Sequence, residues 1–160
     1  MWSERVIGTR MSEDATWLRR FASATVARLA TVGSTGNPHL VPITFALLDE
    51  RTLVTAVDHK PKRTTALRRL ANIEANPHVS VLVDHYESDW ERLWWVRADG
   101  IARIEGGRTS KSAALAEALS ERYVQYRERP PRGPFIVVEI RRLNGWSAAY
   151  SAHGSNPLQQ

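Results

Sequence analysis

The sequence predicts a mainly β fold of the α+β class, a six-stranded antiparallel barrel with helices packed on it. Three observations carry this. Strand-like runs follow one another across short turns, which suits antiparallel neighbours, because parallel ones need long crossovers. Only one helical segment lies among the first four strands, which argues against a doubly wound sheet. The longest helical stretch comes late and is stopped by Pro130-Pro131-Arg132-Gly133-Pro134. With 160 residues, 42% of them apolar and 24% charged, the chain is read as one domain with a core over about 21–146.

The elements follow in order. Residues 12–22 read as a helix: Ser12 is the N-cap, Glu13 and Asp14 suit the first turn, and Trp17, Leu18 and Phe21 form its apolar stripe. Thr25 to Val32 is a strand, Gly33 to Asn37 a turn, and Pro38 to Leu48 a second strand. Asp49-Glu50-Arg51 turns into a third strand over 52–57, completing a meander. Thr64 to Asn72 is a helix that ends near Asn76-Pro77. Val79 to Tyr86 is a fourth strand with alternating valines, and Leu93 to Ile104 a fifth, bent near Gly100. Thr109 to Arg129 is the long helix and Phe135 to Ile140 the sixth strand; the tail from 151 to 160 is expected to be loosely held.

No apolar run approaches the roughly 20 residues of a membrane span, and the N-terminus lacks a signal-peptide core, so a cytoplasmic protein with no membrane partner is expected. The absence of cysteine excludes disulfides and thiolate metal sites. His39, His59, His78, His85 and His153 form no HxH or HxxxH pair, so no metal is expected. No GxSxG, phosphate-loop or dinucleotide fingerprint is present, and no residue stands out as a catalytic proton donor.

The most informative stretch runs from His59 to Arg69. It holds Lys60, Lys62, Arg63, Arg68 and Arg69, and no carboxylate occurs between Asp58 and Glu74. It follows a strand and opens a helix. Free backbone N–H groups, the positive end of the helix dipole and full cationic charge then converge, which is a recipe for holding a phosphate. A chain with one anion site and few catalytic side chains suits a cofactor enzyme, in which the ligand brings the chemistry. The net charge of +5 permits a nucleic-acid partner, and Arg92-Leu93-Trp94-Trp95-Val96-Arg97 interleaves bases with aromatics. A strand-spaced tryptophan pair is more often buried, so nucleic acid is disfavoured.

Taken together, these residues resemble a known family. Leu29 to Pro42 is similar to the first hairpin of the FMN-binding split β-barrels, the superfamily of pyridoxamine 5′-phosphate oxidases and F420-dependent reductases. The basic turn with Lys62-Arg63-Thr64, then Leu67-Arg68-Arg69, Asn76-Pro77-His78-Val79 and Leu93 to Ile104 follow in that family's order. The resemblance implies a homodimer with two cofactor sites at the subunit interface. It implies a phosphate held by Lys60, Lys62, Arg63 and Thr64, and a ring lying along Leu40, Val41, Pro42, Ile43 and Thr44, with Thr55 beside it. Trp94, Trp95 and Arg97 would come from the partner or line the substrate cleft. The two tryptophans point to opposite faces of a strand, so one at most faces a given pocket.

The C-terminal substrate motif of the true oxidases has no counterpart in Arg141-Arg142-Leu143-Asn144-Gly145-Trp146. The compact Lys-Pro-Lys-Arg-Thr turn is closer to the deazaflavin branch. The resemblance thus implies an F420-dependent reductase, passing a hydride from the reduced deazaflavin to an unsaturated or conjugated small molecule. The rivals are an FMN-dependent oxidoreductase on the same fold and a non-catalytic flavin or tetrapyrrole binding protein.

Overall fold

The computed structural model describes residues 14–57 and 63–151, with backbone alone at 63–67, 150 and 151. Helix α1 covers residues 14–23. The strands are β1 (Ala27–Val32), β2 (Pro38–Ile43), β3 (Ala46–Asp49), β4 (Thr52–Ala56), β5 (His78–His85), β6 (Trp94–Glu105) and β7 (Phe135–Ser147). The later helices are α2 (Arg63–Ala75), α3 (Ser110–Arg122), α4 (Val124–Glu128) and α5 (Ala148–Ser151). The expected Ser12 cap, Glu13 and the tail beyond Ser151 lie outside the described residues.

The sheet has seven strands in the order β2-β1-β5-β6-β7-β4-β3, where six were expected. The difference arises at one place. The run Pro38 to Leu48 is interrupted at Thr44-Phe45, so its first half pairs with β1 and its second half with β4. The two hairpins of the expected meander exist, but they sit on opposite edges of one sheet. Two residues span at most about 11 Å between flanking Cα atoms. The edges must therefore curl toward each other, and the sheet is rolled. No ladder joins β2 to β3, so the roll is not closed by hydrogen bonds as a barrel would be.

The inside of the roll is filled by alternate residues of the strands, among them Leu29, Val41, Leu53, Val81, Val96 and Val138. Phe45 of the link is fully buried and meets Phe21 of α1 with ring centroids 5.3 Å apart. Ile73 on α2 closes another part of this core. A second cluster lies on the outer face of β4 and β7, where Val54, Ala56, Phe135 and Val137 meet Leu115 and Leu119 of α3. This half of the sheet is covered on both faces, which explains why Phe135 to Val138 is a continuous apolar run. The other half, β2-β1-β5-β6, has no helix on its outer face among the described residues at Arg28, Ser80, Leu82 and Arg97, and its strands alternate. The valines of β5 are buried, whereas Ser80, Leu82 and Asp84 are part-exposed.

Two further expectations are corrected. The long helix breaks at Tyr123, whose backbone is extended (φ −118°, ψ 122°), into α3 and α4. The sixth expected strand, ending at Ile140, instead continues to Ser147, because β6 is long enough to pair with it throughout. The ladder shifts register between Asp99 and Gly100, the position of the expected bend. Gly100 is needed there: a Cβ would lie 2.3 Å from the Glu139 carbonyl oxygen.

Gly145 on β7 accommodates α1. A Cβ at this position would fall 2.3 Å from the Trp17 ring. Gly145→Ala is therefore expected to destabilise the fold by about 2 kcal/mol through overpacking. Gly106→Ala, where a Cβ would meet nothing within 4 Å, is the control. Urea denaturation of both variants checks this; equal midpoints would remove the packing role of Gly145.

Candidate functional site

The phosphate-binding turn is the first feature to place. Lys60 and Lys62 lie outside the described residues. Arg63 and Thr64 are the first two residues of α2, so the helix opens where the sequence predicts its anion-binding end. In chain order α2 is the next element after β4. On β4, Thr55 is 1% exposed, and its hydroxyl has no hydrogen-bond partner among the described residues. A buried hydroxyl left unpaired costs about 1–3 kcal/mol.

The expected ring-facing residues divide by strand alternation. Val41 and Ile43 are buried in the core, whereas Leu40 and Pro42 are exposed. Thr44 follows the end of β2, and its hydroxyl lies 3.3 Å from the Tyr126 hydroxyl of α4.

The two tryptophans of β6 separate cleanly. Trp94 stacks on His85 at 6.3 Å with an interplanar angle of 18°. The Arg20 guanidinium lies 5.2 Å from the Trp94 ring and 5.4 Å from that of Trp17. Trp94 is thereby taken up with α1 and the core. Trp95, with Arg97, lines a groove of about 540 Å³ on the open half of the sheet.

This groove has an apolar floor of Ala30, Leu40, Leu82 and Trp95, crossed by two charged pairs. Arg28 donates to Asp84 at 2.7 Å across β1 and β5. Arg97 donates to Asp99 at 3.0 Å, and Asp99 also accepts from Ser80 at 2.6 Å. Both guanidinium groups thus meet a carboxylate already. Leu40 is 65% exposed and Tyr86, at the rim, is 64% exposed. The sequence reading missed Arg28, Leu82, Asp84 and Tyr86. The signal was present in the outward positions of the alternating strands, but alternation cannot say which open positions of different strands become neighbours.

Within one chain the groove brings together Leu40, Trp95 and Arg97. Thr55, on the far side of β7 from β6, does not line it. A further polar group sits at the β1–β2 edge. Asn72 of α2 donates to Thr31 at 3.0 Å, and Gly33 approaches Asn72 so closely that a Cβ would lie 2.4 Å from its Oδ1. Burial, and then the charges of Arg68 and Arg69, hold the His39 imidazole below its ordinary pKa, so it is neutral at pH 7. Among the described residues no three His, Asp or Glu side chains gather as metal ligands. No helix among them is long and apolar enough to cross a membrane.

Three solved structures are similar to this chain throughout the roll. A conserved hypothetical protein from Mycobacterium tuberculosis is 21% identical, with a TM-score of 0.65 and 89% of each chain covered. An FAD-binding protein from Mesorhizobium loti is 21% identical, with a TM-score of 0.62 over 82% of this chain and 91% of its own. A haem storage protein from Vibrio cholerae is 15% identical, with a TM-score of 0.62 over 85% of this chain and 92% of its own. At these identities the likeness is one of fold. No curated protein matches the sequence. The sequence pattern of the pyridoxamine 5′-phosphate oxidase family matches residues 14–147, and with the seven-stranded roll this identifies the chain as a member of that family.

Proposed function

We propose that this chain is a flavin-type oxidoreductase. It holds a cofactor phosphate at the start of α2 and moves a hydride between the cofactor ring and a conjugated small molecule. The observation that carries this reading is the opening of α2 at Arg63, directly beyond a stretch with no carboxylate. The first-turn N–H groups, the dipole of a 13-residue helix and the charges of Lys60, Lys62 and Arg63 act on one anion. The unpaired Thr55 hydroxyl supports it, since a ligand oxygen nearby would give it the partner it lacks.

The bound ring supplies the hydride chemistry. The chain's own residues position and shield it. Leu40 to Thr44 lie along the ring, and Trp95 and Arg97 belong to the cleft for the acceptor. Leu40, Trp95 and Arg97 share a groove that Thr55 does not line, so one site uses both sets only if a second copy of the chain joins them. The exposed Leu40 and Tyr86 on that face fit such a homodimer. The ring's identity has support on two sides. The basic turn and the Leu93–Arg97 strand resemble the F420-dependent reductases, whereas the FAD-binding structural neighbour speaks for FMN or FAD. A haem-binding protein without turnover is the second reading, favoured by the apolar groove floor and the haem storage neighbour.

Titration of one preparation with FMN, FAD, F420 and haemin separates these readings. Saturable binding of one of the first three supports the proposal, and a Soret band with no flavin binding selects the second reading. Replacing Lys62 and Arg63 together by Ala is expected to weaken cofactor binding at least tenfold, because charge-assisted bonds to phosphate are lost. The thermal midpoint of the cofactor-free protein is expected to stay nearly constant. Unchanged affinity would retire the phosphate assignment. Thr55→Val is expected to act in opposite directions: the cofactor-free protein gains about 1 kcal/mol as an unpaired hydroxyl disappears, while the cofactor binds more weakly. A variant that loses stability without cofactor would show that Thr55 serves the fold instead.

A further inference from the structure

The register shift in the β6–β7 ladder does more than bend the sheet. Asp99 pairs with Arg142 and Gly100 with Ile140, so Arg141 has no partner opposite and is the extra residue of a bulge. Strict alternation would put Arg142 on the same side as Ile140, which is buried in the core. The bulge resets the phase instead. Ile140 and Leu143 both pack inward, and Arg141 and Arg142 between them are both exposed. Two neighbouring arginines are thereby held on one side of a strand, which a regular strand cannot do.

All four of these β7 residues line a hollow of about 630 Å³. Ala15 and Leu18 of α1 form another wall. The β3–β4 turn adds Arg51, whose carbonyl accepts from the Ile140 N–H at 2.7 Å and so fastens the turn to the bulge. Arg141 donates to Glu139 at 3.1 Å. The guanidinium groups of Arg51 and Arg142 have no hydrogen-bond or ion-pair partner among the described residues. No residue of this hollow lines the groove beside Trp95. We propose that the hollow is a second small-molecule site and takes an organic monocarboxylate. Arg51 and Arg142 hold the headgroup, since a guanidinium offers a carboxylate paired N–H donors, and Leu18, Ile140 and Leu143 receive the apolar body. Asp14 and Glu50 also line the hollow. They disfavour a bare or multiply charged anion, which has no apolar contact to offset their repulsion. The volume lies within the range of about 300–1,000 Å³ common for small-ligand sites. The site is independent of the flavin-type reading.

The test is calorimetric titration of the full chain with phenylbutyrate, phenylbutanol and acetate. Phenylbutyrate is expected to bind saturably, one molecule per chain. Phenylbutanol, which lacks the charge, and acetate, which lacks the body, bind at least tenfold more weakly. Replacing Arg51 and Arg142 together by Ala weakens phenylbutyrate binding roughly tenfold, the size of a lost charge-assisted hydrogen bond. Arg132→Ala, an exposed arginine that does not line the hollow, leaves the affinity unchanged. Ala15→Trp fills the hollow and abolishes binding; should that variant fail to fold, the arginine pair decides alone. No saturable binding of phenylbutyrate to the wild-type chain would overturn the inference, as would equal binding of phenylbutanol. Wild-type affinity in the double arginine variant would overturn it too, by showing that the anion binds elsewhere. None of these outcomes bears on cofactor binding at α2.

Discussion

Everything in this molecule turns on a two-residue link, Thr44-Phe45, between opposite edges of one sheet. A link so short cannot cross a flat seven-stranded sheet, whose neighbouring strands lie about 4.8 Å apart. It forces the roll, and the roll creates the inside that the core fills. The link itself has no ladder to satisfy its backbone. Tyr123 supplies what the ladder would have supplied, accepting from the Phe45 N–H and offering its one proton to a nearby carbonyl. Phe45, with no exposed surface, then anchors the crossing in the interior.

The roll is covered unevenly, and the candidate chemistry follows the uneven cover. α3 buries the outer face of β4 and β7. The open half presents Trp95 and Leu40 with polar groups that already have partners. Arg28 and Arg97 therefore bring shape and local field to the groove more than free charge. On the opposite half, buried polar atoms without a partner among the described residues include the Thr55 hydroxyl, close in sequence to the basic turn, and Arg122 Nε. Under the proposed function the two differ in role: the satisfied open face serves contact with a surface or a flat ring, and the unpaired Thr55 hydroxyl a ligand oxygen.

Much of this was legible from local pattern. The β1–β2 turn, the alternation of β5, the bend at Gly100 and the opening of α2 all rest on residues within a few positions of one another. The misses share one cause. Pro38 to Leu48 has no breaker at Thr44, and Thr109 to Arg129 has none at Tyr123; each is interrupted because of the other, through a hydroxyl nearly 80 residues away. The continuation of β7 was hidden because Arg141 to Trp146 is polar and carries a glycine, whereas its strand character comes from pairing with β6 and from the Trp17 ring that fills the space over Gly145.

The sequence by itself determined that this chain builds antiparallel hairpins, that it belongs among the phosphate-oxidase-like folds, and that an acid-free basic turn opens a helix. It also determined that Trp94 and Trp95 point to opposite sides, since that follows from the pleat alone. Which of them meets the groove was decided only by the tertiary structure. Arg20 of α1 and His85 of β5 claim Trp94, and Trp95 is left on the open face. The physical reason is general. Periodicity fixes the relative direction of neighbouring side chains, but the absolute direction depends on which face distant elements cover, and that is settled when the sheet rolls.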